Sequence, residues 1–273
     1  MVRASDLFDL EKSCFLLLFQ GTEYVWEGLK KIKPFIKEYL EPNVEKIRRG
    51  NNLIEKTIVL YEGNIIEQGF IIDISGKKPV VIVDGELMKG ATIIYAGTHL
   101  MDDNISIGQD TIIEPTALIK GPAIIGDRTE VRHGAYIRGD VLVGHDCVVG
   151  HVTEIKSSVM LGGSKAGHFA YIGDSILGAV NLGAGTKLAN LKMIESEVTL
   201  NINEKFFKTG LRKFGAILAD GVETGCNSVT APGTIMGKNS VLYPNGTARG
   251  YYPAETIIKV RQEQERDYFD RKG

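Results

Sequence analysis

Aliphatic residues recur at every sixth position through the middle of this 273-residue chain. Because a period of six cannot keep one face of a 3.6-residue helix, it favours short strands joined by tight corners. Hexapeptide repeats are typical of a β-helix, in which each coil stacks on the next at about 4.8 Å. The repeat therefore predicts a mainly β solenoid rather than an ordinary closed domain. The series continues without a break through Ile107, Ile113, Ile119, Ile125, Val131, Ile137, Val143, Val149, Ile155 and Leu161.

A second inward position follows four residues after each member of this first series. Nine of its ten residues are small or β-branched, namely Thr111, Ala117, Ala123, Thr129, Ala135, Val141, Cys147, Thr153 and Val159, and the tenth is Lys165. The pattern resembles the left-handed parallel β-helix of hexapeptide-repeat acyltransferases, in which three hexads make one triangular coil. On that resemblance, one full turn takes about 18 residues.

The phase of the repeat changes after Leu161. It slips by one residue at Ala166 and again between Ile172 and Leu182, and a looser run follows at 218–242. Residues 187–215 have no hexad phase, so we predict an extruded loop there, and loops of that length are often functional. The predicted domains are an N-terminal cap of helix and strands at 1–78, the β-helix at 79–250 and a C-terminal helical tail at 251–273.

The two ends of the chain differ from the repeat. Apolar residues from Tyr24 to Leu40 recur at helical spacing after Thr22 as a candidate cap, although Pro34 argues against one unbroken helix. Residues 57–83 are predicted to form strands, and the charged tail after Pro253 is predicted to be helical. A solenoid needs its open ends covered, so we expect both ends to cap it and to contribute oligomer contacts.

Charge and composition exclude several classes of protein. The net charge of -2 indicates no global attraction to nucleic acid or to an anionic membrane. Cys14, Cys147 and Cys226 are widely spaced, which is typical of reduced thiols rather than of a disulfide framework. The apolar run at 14–19 is too short for a signal peptide or a membrane span. We therefore expect a cytoplasmic protein that has neither nucleic acid nor a membrane as its partner.

Three basic residues stand one turn apart along the predicted coil. Lys120, Arg138 and Lys156 each follow an aliphatic position directly, so they are predicted to form a basic column. Adjacent cations about 5 Å apart repel by roughly 3 kcal/mol at an effective dielectric near 20, so something should offset them. One interpretation is a solvated ladder of salt bridges to Glu114, Glu130 and Glu154. The other is a ligand that carries a phosphate group.

Histidines form a second column. His133 and His151 are one turn apart, and His168 joins them once the phase slip is counted. Stacked imidazoles at coil spacing do not converge on a metal ion, which needs nitrogens within about 2.1 Å. His145 with His151 offers another pairing, which resembles the histidine ligands of hexapeptide-repeat carbonic anhydrases. Solvated corner residues or single acid–base groups are the more common roles of such histidines, and we expect no metal.

A closer resemblance extends over residues 124–190, with a weaker match from 213 to 247. The residues that carry it are Glu154-Ile155-Lys156, then Gly163-Ser164-Lys165-Ala166-Gly167-His168-Phe169-Ala170-Tyr171-Ile172-Gly173-Asp174, then Asn181-Leu182-Gly183-Ala184-Gly185-Thr186. They resemble the acetyltransferase half of the bifunctional bacterial enzyme that makes UDP-N-acetylglucosamine for cell-envelope sugars. The resemblance implies an amino-sugar N-acetyltransferase that uses acetyl-CoA as its co-substrate and glucosamine-1-phosphate as its expected acceptor.

The same resemblance assigns roles residue by residue. It makes His168 the general base that takes a proton from the attacking amine, and Asn190 the residue that positions that amine. It also implies a homotrimer in which the acyl donor lies between neighbouring coils. The residues matched to substrate contacts are Arg138, Lys156, Tyr171, Asn181 and Lys213, and those matched to coenzyme A contacts are Ala184 and Cys226.

Departures from the family pattern leave other functions open. Leu191 stands where the family usually has Tyr, and the loop before Lys213 is longer. The sequence also lacks the Gly-rich signature of the uridylyltransferase half, so we do not expect this chain to make the nucleotide bond. One alternative is a non-catalytic sugar-phosphate-binding or regulatory β-helix that serves a separate nucleotidyltransferase. The second alternative is a carbonic-anhydrase-like metalloenzyme that uses His133, His145 and His151.

Overall fold

Three parallel β-sheets wrap into a triangular solenoid along most of the chain. The computed structural model describes residues 2–260, 263, 265 and 266. Each coil contributes one short strand to a first, a second and a third face, in that order along the chain. Eight coils have all three strands, and Ile257–Ile258 opens a ninth. The predicted mainly β, parallel solenoid is therefore confirmed.

The strands of the three faces are short because a corner follows each of them. The first face consists of Thr92–Ile94, Ile112–Ile113, Glu130–Val131, Val148–His151, Lys165–His168, Asn181–Leu182, Glu223–Thr224, Val241–Leu242 and Ile257–Ile258. The second face consists of His99–Leu100, Leu118–Lys120, Tyr136–Arg138, Glu154–Lys156, Tyr171–Gly173, Lys187–Leu188, Val229–Thr230 and Thr247–Ala248. The third face consists of Ile105–Ile107, Ala123–Ile125, Val141–Val143, Ser158–Met160, Ile176–Leu177, Ala216–Leu218, Thr234–Met236 and Tyr251–Tyr252.

The two residue series that the sequence predicts to be buried are buried, except for Lys165 at the end of the second series, which is exposed. Every member of the first series is at most 4 % exposed. Threonines at the second inward position bond to the neighbouring coil: Thr111 Oγ1 donates to Gly126 O and Thr129 Oγ1 donates to Gly144 O, both at 2.8 Å. These hydroxyls are therefore tolerated inside the solenoid, because each has a hydrogen-bond partner.

The sequence predicts the first change of phase at Ala166. In the structure it occurs one strand earlier, before Ser158–Met160. Val141 pairs with Ser158, because Ser157 alone forms a corner that Gly139 and Asp140 form in the coil before. Successive side chains of a strand point to opposite sides, so Val159 faces outward rather than inward as predicted. It is nevertheless buried, because the N-terminal region covers the third face. The second change of phase is confirmed, since Ala166 pairs with Leu182.

The N-terminal region packs on the third face. Its main helix contacts the strands Val141–Val143 and Ser158–Met160, and a Cβ on Gly28 would lie 3.2 Å from Ile176 Cδ1. The third face is thus buried on both sides, whereas the other two faces have outward side chains in solvent. The helices are Ala4–Leu7, Gly28–Tyr39 and Glu45–Arg48, with 3-10 turns at Leu10–Lys12, Leu16–Phe19 and Val25–Glu27.

The main helix runs unbroken from Gly28 to Tyr39 with Pro34 inside it, so the expectation of a break is wrong. A proline in a helix removes one backbone hydrogen bond, at a cost of about 3 kcal/mol. Burial of Ile32, Phe35 and Ile36 on the third face offsets that cost. Thr22 does not cap this helix, because its hydroxyl donates to Phe19 O at 2.8 Å.

Residues before the solenoid also cover the open edges of its first coil. The strand Ile58–Tyr61 pairs antiparallel with Thr92–Ile94 on the first face. Ile54 N–H donates to Thr98 O at 2.9 Å at the second face. Asn43 donates to and accepts from the backbone of Ile107 at the third. These contacts satisfy edge groups that would otherwise be free to pair with another chain.

Several boundaries differ from the predicted domains. The strands Asn64–Ile66, Phe70–Asp73, Val80–Val83 and Glu86–Leu87 are antiparallel, so the parallel coils begin only at Thr92–Ile94. The extruded loop begins after Lys187–Leu188, which belong to the second face, and it contains a hairpin of Thr199–Ile202 and Lys205–Lys208. No helix in the described part of the chain is long and apolar enough to span a membrane.

The predicted C-terminal helix is wrong for the residues directly after Pro253. Ile257–Ile258 pair in parallel with Val241–Leu242 and so continue the first face. Their backbone groups extend an existing hydrogen-bond ladder, whose edge a helix at this point would leave unpaired. The rest of the predicted tail, apart from residues 263, 265 and 266, lies outside the described residues.

Candidate functional site

The predicted basic column exists on the second face. Lys120 pairs with Arg138, and Lys156 follows one coil below because Ile137 pairs with Ile155. The three side chains leave the solenoid at the same end of their strands, where the second face turns into the third. Strand spacing places neighbouring members about 4.8 Å apart along the axis.

Carboxylates offset part of this positive charge. Arg138 Nη1 donates to Glu154 Oε1 at 2.5 Å, and this hydrogen bond raises the pKa of Arg138 above its ordinary value. Glu154 is one of the three carboxylates that the salt-bridge interpretation names. The other two lie elsewhere: Glu114 accepts the backbone N–H of His133, and Glu130 accepts from Arg132. The column therefore keeps part of its charge for a ligand.

A compact polar cluster lies at the lower end of the column. Lys156 Nζ donates to Asp174 Oδ2 at 2.7 Å, and Asn190 Nδ2 donates to the same oxygen at 2.5 Å. Tyr171 Oη donates to Asn190 Oδ1 at 3.4 Å. The side chains of Lys156 and Asp174 are only 15 % and 16 % exposed. We call Lys156, Tyr171, Asp174 and Asn190 the corner cluster.

Gly173 makes room for the corner cluster. It pairs with Lys156 and so occupies the next place in the basic column. A Cβ on Gly173 would lie 2.7 Å from Tyr171 Oη and 2.8 Å from Asn190 Nδ2. Contacts that short do not occur in folded proteins without displacement of one partner. Because Gly173 has no side chain, Tyr171 and Asn190 can meet at the place that would continue the column.

The base of the extruded loop brings Lys213 to this site. Leu191 forms a β-bridge with Lys213, and Phe214 N–H donates to Asn190 O at 2.9 Å. Gly215 N–H donates to Asp174 O at 2.8 Å. Both ends of the loop are thus tied to the corner cluster. Lys213 is exposed beside it and adds a positive charge near Asn190.

Three other predicted residues lie along one edge of the solenoid, where the first face turns into the second. Gly185 N–H donates to His168 O at 3.0 Å, and Asn227 N–H donates to Ala184 O at 2.7 Å. These bonds stack the corners that contain His168, Ala184 and Cys226 in three consecutive coils. We call this row the histidine edge. It borders the second face on the side opposite to the corner cluster.

His168 itself is exposed. Its ring lies 5.8 Å from the ring of Phe169, centroid to centroid. Among the described residues, no side chain or carbonyl forms a hydrogen bond with its imidazole. His168 is therefore open to a ligand, but no hydrogen bond from the described residues fixes the orientation of its ring.

Asn181 is the predicted substrate residue that the structure leaves apart. It lies on the first face, where it pairs with Lys165 and with Glu223, and its side chain is exposed. It shares neither the corner cluster nor the histidine edge. Within one chain, the predicted site residues therefore fall into two groups on either side of the second face, with Asn181 outside both.

The histidines of the metalloenzyme alternative do not come together. His133 and His151 stack on the histidine edge with ring centroids 5.4 Å apart. His145 lies on a different edge, where its Nδ1 accepts the backbone N–H of Asp127 at 2.8 Å. In the part of the chain that the structure describes, no three His, Cys, Asp or Glu side chains are grouped as metal ligands.

A groove of about 610 Å³ runs along the edge that contains His145, between the N-terminal region and the solenoid. Its charged side chains are largely paired with each other, as Lys12 is with Asp9 and Arg128 with Asp146. Of the residues predicted to act in any of the alternatives it contains only His145, and it contains none of the predicted acetyltransferase residues. We therefore place the candidate site on the second face rather than in this groove.

Asp174 is a site residue that sequence reasoning missed. It belongs to the stretch that carries the family resemblance, but no role is assigned to it there. The eighteen-residue period could have found it, because one further step from Lys156 arrives at Asp174. A carboxylate one turn from a lysine is a candidate partner for that lysine.

Comparison with known proteins agrees with this description of the solenoid. Residues 119–239 match the family described as the GMPPB C-terminal domain. A bifunctional sugar-1-phosphate nucleotidylyltransferase/acetyltransferase of Sulfurisphaera tokodaii is 43 % identical over 83 residues, which cover 30 % of this chain and 21 % of that protein. A bifunctional protein GlmU of Methanococcus vannielii is 37 % identical over 101 residues, which cover 37 % of this chain and 24 % of the relative.

A further protein named bifunctional protein GlmU, from Methanocaldococcus jannaschii, is 39 % identical over 77 residues, or 28 % of this chain and 19 % of that protein. The chain thus spans between about a fifth and a quarter of the length of these relatives. The similarity and the solenoid together confirm the predicted recognition. Over this region, the chain is homologous to the C-terminal part of GlmU-like bifunctional sugar-1-phosphate nucleotidylyltransferase/acetyltransferases.

Proposed function

We propose that this chain is an acetyl-CoA-dependent N-acetyltransferase whose acceptor is an amino-sugar phosphate, with glucosamine-1-phosphate as the first candidate. The observation that carries the proposal is the corner cluster. It brings a cation, a tyrosine hydroxyl and an asparagine amide together at one point of the second face. One relative is named a bifunctional sugar-1-phosphate nucleotidylyltransferase/acetyltransferase, and a sugar phosphate is the kind of ligand that such a cluster would take.

The phosphate group would bind to the lower end of the basic column, beside the corner cluster. Arg138 offers a guanidinium, which suits phosphate oxygens because its N–H groups form a planar fork. Lys156 offers a point charge one coil below, and Lys213 offers another from the base of the loop. Glu154 and Asp174 hold the first two cations in place in the free protein. The dianion of a phosphate monoester would then share these cations with the carboxylates.

The reaction would take place between the corner cluster and the histidine edge. The acceptor amine attacks the thioester carbonyl of acetyl-CoA, so a nitrogen–carbon bond forms and the carbon–sulfur bond breaks. His168 takes the proton that the amine loses, and the coenzyme A thiolate takes up a proton from solvent as it leaves. Asn190 orients the amine through its side-chain oxygen, which faces away from Asp174.

We also propose that the active assembly is a homotrimer. The N-terminal region covers the third face, whereas the second face and the histidine edge are uncovered in the single chain. A neighbouring copy on that side would enclose acetyl-CoA against Ala184 and Cys226. It would also supply the hydrogen-bond partner that the His168 ring lacks among the described residues of one chain. Size-exclusion chromatography with light scattering tests this directly, and a monomer at micromolar concentration would contradict it.

The experiment for the catalytic proposal measures coenzyme A release from acetyl-CoA with glucosamine-1-phosphate, and identifies the acetylated product by mass spectrometry. We expect turnover by the wild type and a loss of at least about 100-fold in kcat for His168→Ala, the usual size of a general-base contribution. His151→Ala is the matched control, because His151 pairs with His168 one coil above. Wild-type rates in His168→Ala would show that the base is another group.

A second candidate function is a sugar-phosphate-binding β-helix without turnover. The observation that favours it is the His168 ring, which has no orienting partner in the described part of the chain, whereas a catalytic base is usually held by a third group. Calorimetric binding of glucosamine-1-phosphate without acetyl transfer to any of several amino sugars would support this candidate. Turnover that depends on His168 would exclude it.

A further inference from the structure

We propose that Asp174 is a positioning residue of the acceptor site, which fixes the direction of the Asn190 amide and reduces the positive charge that Lys156 offers to a phosphate group. The inference rests on the proposed function for its kinetic consequences. Its consequences for anion binding can be measured without turnover. The carboxylate would touch neither the acetyl group nor the amine, so it acts through its two neighbours.

Asp174 fixes the direction of the Asn190 amide. A carboxylate only accepts hydrogen bonds, so the group that faces Asp174 Oδ2 must be the Asn190 NH₂. The side-chain oxygen of Asn190 then points to the other side, where Tyr171 Oη lies 3.4 Å away. That oxygen can accept an N–H from an acceptor amine. A side chain at position 174 that both donates and accepts hydrogen bonds could face either the NH₂ group or the oxygen of Asn190. The two orientations of the Asn190 amide would then be closer in free energy.

Backbone hydrogen bonds hold Asp174 in place. Its backbone N–H donates to Lys156 O at 3.1 Å, and its carbonyl accepts from Gly215 N–H at 2.8 Å. Its φ of 47° lies in the left-handed region, which Asp and Asn adopt more readily than most residues. The side chain is 16 % exposed. Asp174 therefore connects two coils and the end of the extruded loop, and its carboxylate has little freedom to move.

The carboxylate charge of Asp174 opposes phosphate binding at Lys156. Asp174 lies 2.7 Å from Lys156 Nζ, so a phosphate group on Lys156 would approach a carboxylate of its own sign. Removal of that carboxylate charge should strengthen phosphate binding by about tenfold at low ionic strength, since like charges about 5 Å apart repel appreciably in a partly buried site. The same change should weaken catalysis, because the Asn190 amide loses its fixed direction.

Asp174→Asn tests both consequences with little change of shape. Asn tolerates the left-handed backbone at this corner and can still accept one hydrogen bond. Asp140→Asn is the matched control. Asp140 lies at the same corner two coils above, with a φ of 53°, and it pairs with Lys33 at 3.4 Å rather than with Lys156 or Asn190. The two variants therefore remove the same charge from the same kind of corner.

The first arm of the experiment measures binding of inorganic phosphate by calorimetry at low salt. We expect Asp174→Asn to lower Kd by about tenfold and Asp140→Asn to change it by less than twofold. Equal Kd values for wild type and Asp174→Asn would overturn the inference, and so would the absence of phosphate binding by the wild type.

The second arm measures acetyl transfer to glucosamine-1-phosphate. We expect Asp174→Asn to lower kcat by about tenfold while KM for the acceptor falls, and Asp140→Asn to leave both near wild type. A merely structural role would instead raise KM and lower the melting temperature together, which would overturn the inference. If the wild type binds phosphate but acetylates no amino sugar, the proposed function fails, and the first arm still decides the role of Asp174.

Discussion

The ammonium of Lys156 and the carboxylate of Asp174 form an ion pair with its atoms 2.7 Å apart, and both side chains are about five-sixths buried. Loss of Lys156 removes the charged partner of a buried carboxylate, which then keeps only the neutral Asn190 amide as a side-chain donor in the described part of the chain. We expect Lys156→Met to weaken binding of inorganic phosphate at least tenfold and to lower the free energy of unfolding by about 1–3 kcal/mol. Calorimetry and chemical denaturation measure the two effects.

Lys120→Met is the control for this prediction. Lys120 belongs to the same basic column, but it lies two coils above Lys156 and its side chain is exposed. We expect its replacement to change phosphate affinity by less than about threefold, since exposed charges at that separation are largely screened. A larger loss for Lys120→Met than for Lys156→Met would place the anion site at the Lys120 end of the column and would contradict the proposed site.

Gly173→Ala tests the packing of the corner cluster. The new methyl group would overlap Tyr171 Oη and Asn190 Nδ2, so at least one of them must move. We expect acetyl transfer to fall by about 10- to 100-fold, because displacement of an orienting group by about 1 Å has effects of that size. Steady-state kinetics measure the loss. Unchanged kcat and KM would show that neither side chain orients the acceptor.

Gly167→Ala is the stability control for this glycine substitution. Gly167 is also a strand glycine, and a Cβ there would meet no atom within 4 Å. We therefore expect its melting temperature to equal or exceed that of the wild type, since replacement of a strand glycine without a clash reduces the entropy of the unfolded chain. Similar thermal destabilisation in both variants would indicate a general effect of the substitution rather than one of the corner cluster.

Cysteine alkylation reports on the proposed position of coenzyme A. Cys226 is exposed on the histidine edge, whereas burial raises the pKa of Cys147 to about 12. Because the thiolate is the reactive form, Cys147 should stay unmodified by iodoacetamide at pH 8 in the folded protein. We expect Cys226 to be alkylated, and saturating acetyl-CoA to slow its alkylation several-fold. Mass spectrometry after timed quenching measures both residues, and equal rates with and without acetyl-CoA would argue against this position.

Thr230→Val should stabilise the protein. Thr230 is fully buried inside the solenoid, and its hydroxyl has no hydrogen-bond partner among the described residues. Val has the same shape without the polar atom, so the substitution removes an uncompensated desolvation cost. We expect a gain of about 1 kcal/mol in the free energy of unfolding, measured by chemical denaturation.

Thr129→Val is the opposite case and serves as the control. The Thr129 hydroxyl donates to Gly144 O at 2.8 Å and accepts the backbone N–H of Cys147 at 3.2 Å. Its loss leaves buried backbone groups unpaired, so we expect a destabilisation of about 1–3 kcal/mol. The same sign of change in both valine variants would contradict this account of the interior threonines.

The solenoid could be predicted from the sequence because its coils repeat one local rule. A buried aliphatic residue at every sixth position is visible without any long-range information, and so is the one-turn spacing of Lys120, Arg138 and Lys156. Phase changes are harder to place. The sequence places the slip at Ala166 rather than at Ser157 because Val159 and Leu161 are aliphatic like true core residues, although they pack beneath the N-terminal region.

The rest depends on contacts between segments distant in sequence. In the sequence, Pro34 favours a helix break. In the structure, burial of Ile32, Phe35 and Ile36 offsets its cost, and this burial is not visible in the local sequence. Asp174 gains its importance only when the loop returns and Asn190 meets it across the corner. The role of Asn181 stays a prediction, since it depends on which surface a neighbouring copy would bring to the first face. Local sequence patterns do not show these contacts between residues that are distant in the chain.

The most direct test of the central claim is a comparison of acetyl transfer to glucosamine-1-phosphate and to glucosamine, measured as coenzyme A release by the wild type and by Lys156→Met. We predict that kcat/KM of the wild type is at least about 100-fold higher for the phosphorylated acceptor, and that most of this preference disappears in Lys156→Met. Equal rates with both acceptors, or no transfer to any phosphorylated amino sugar, would contradict the account.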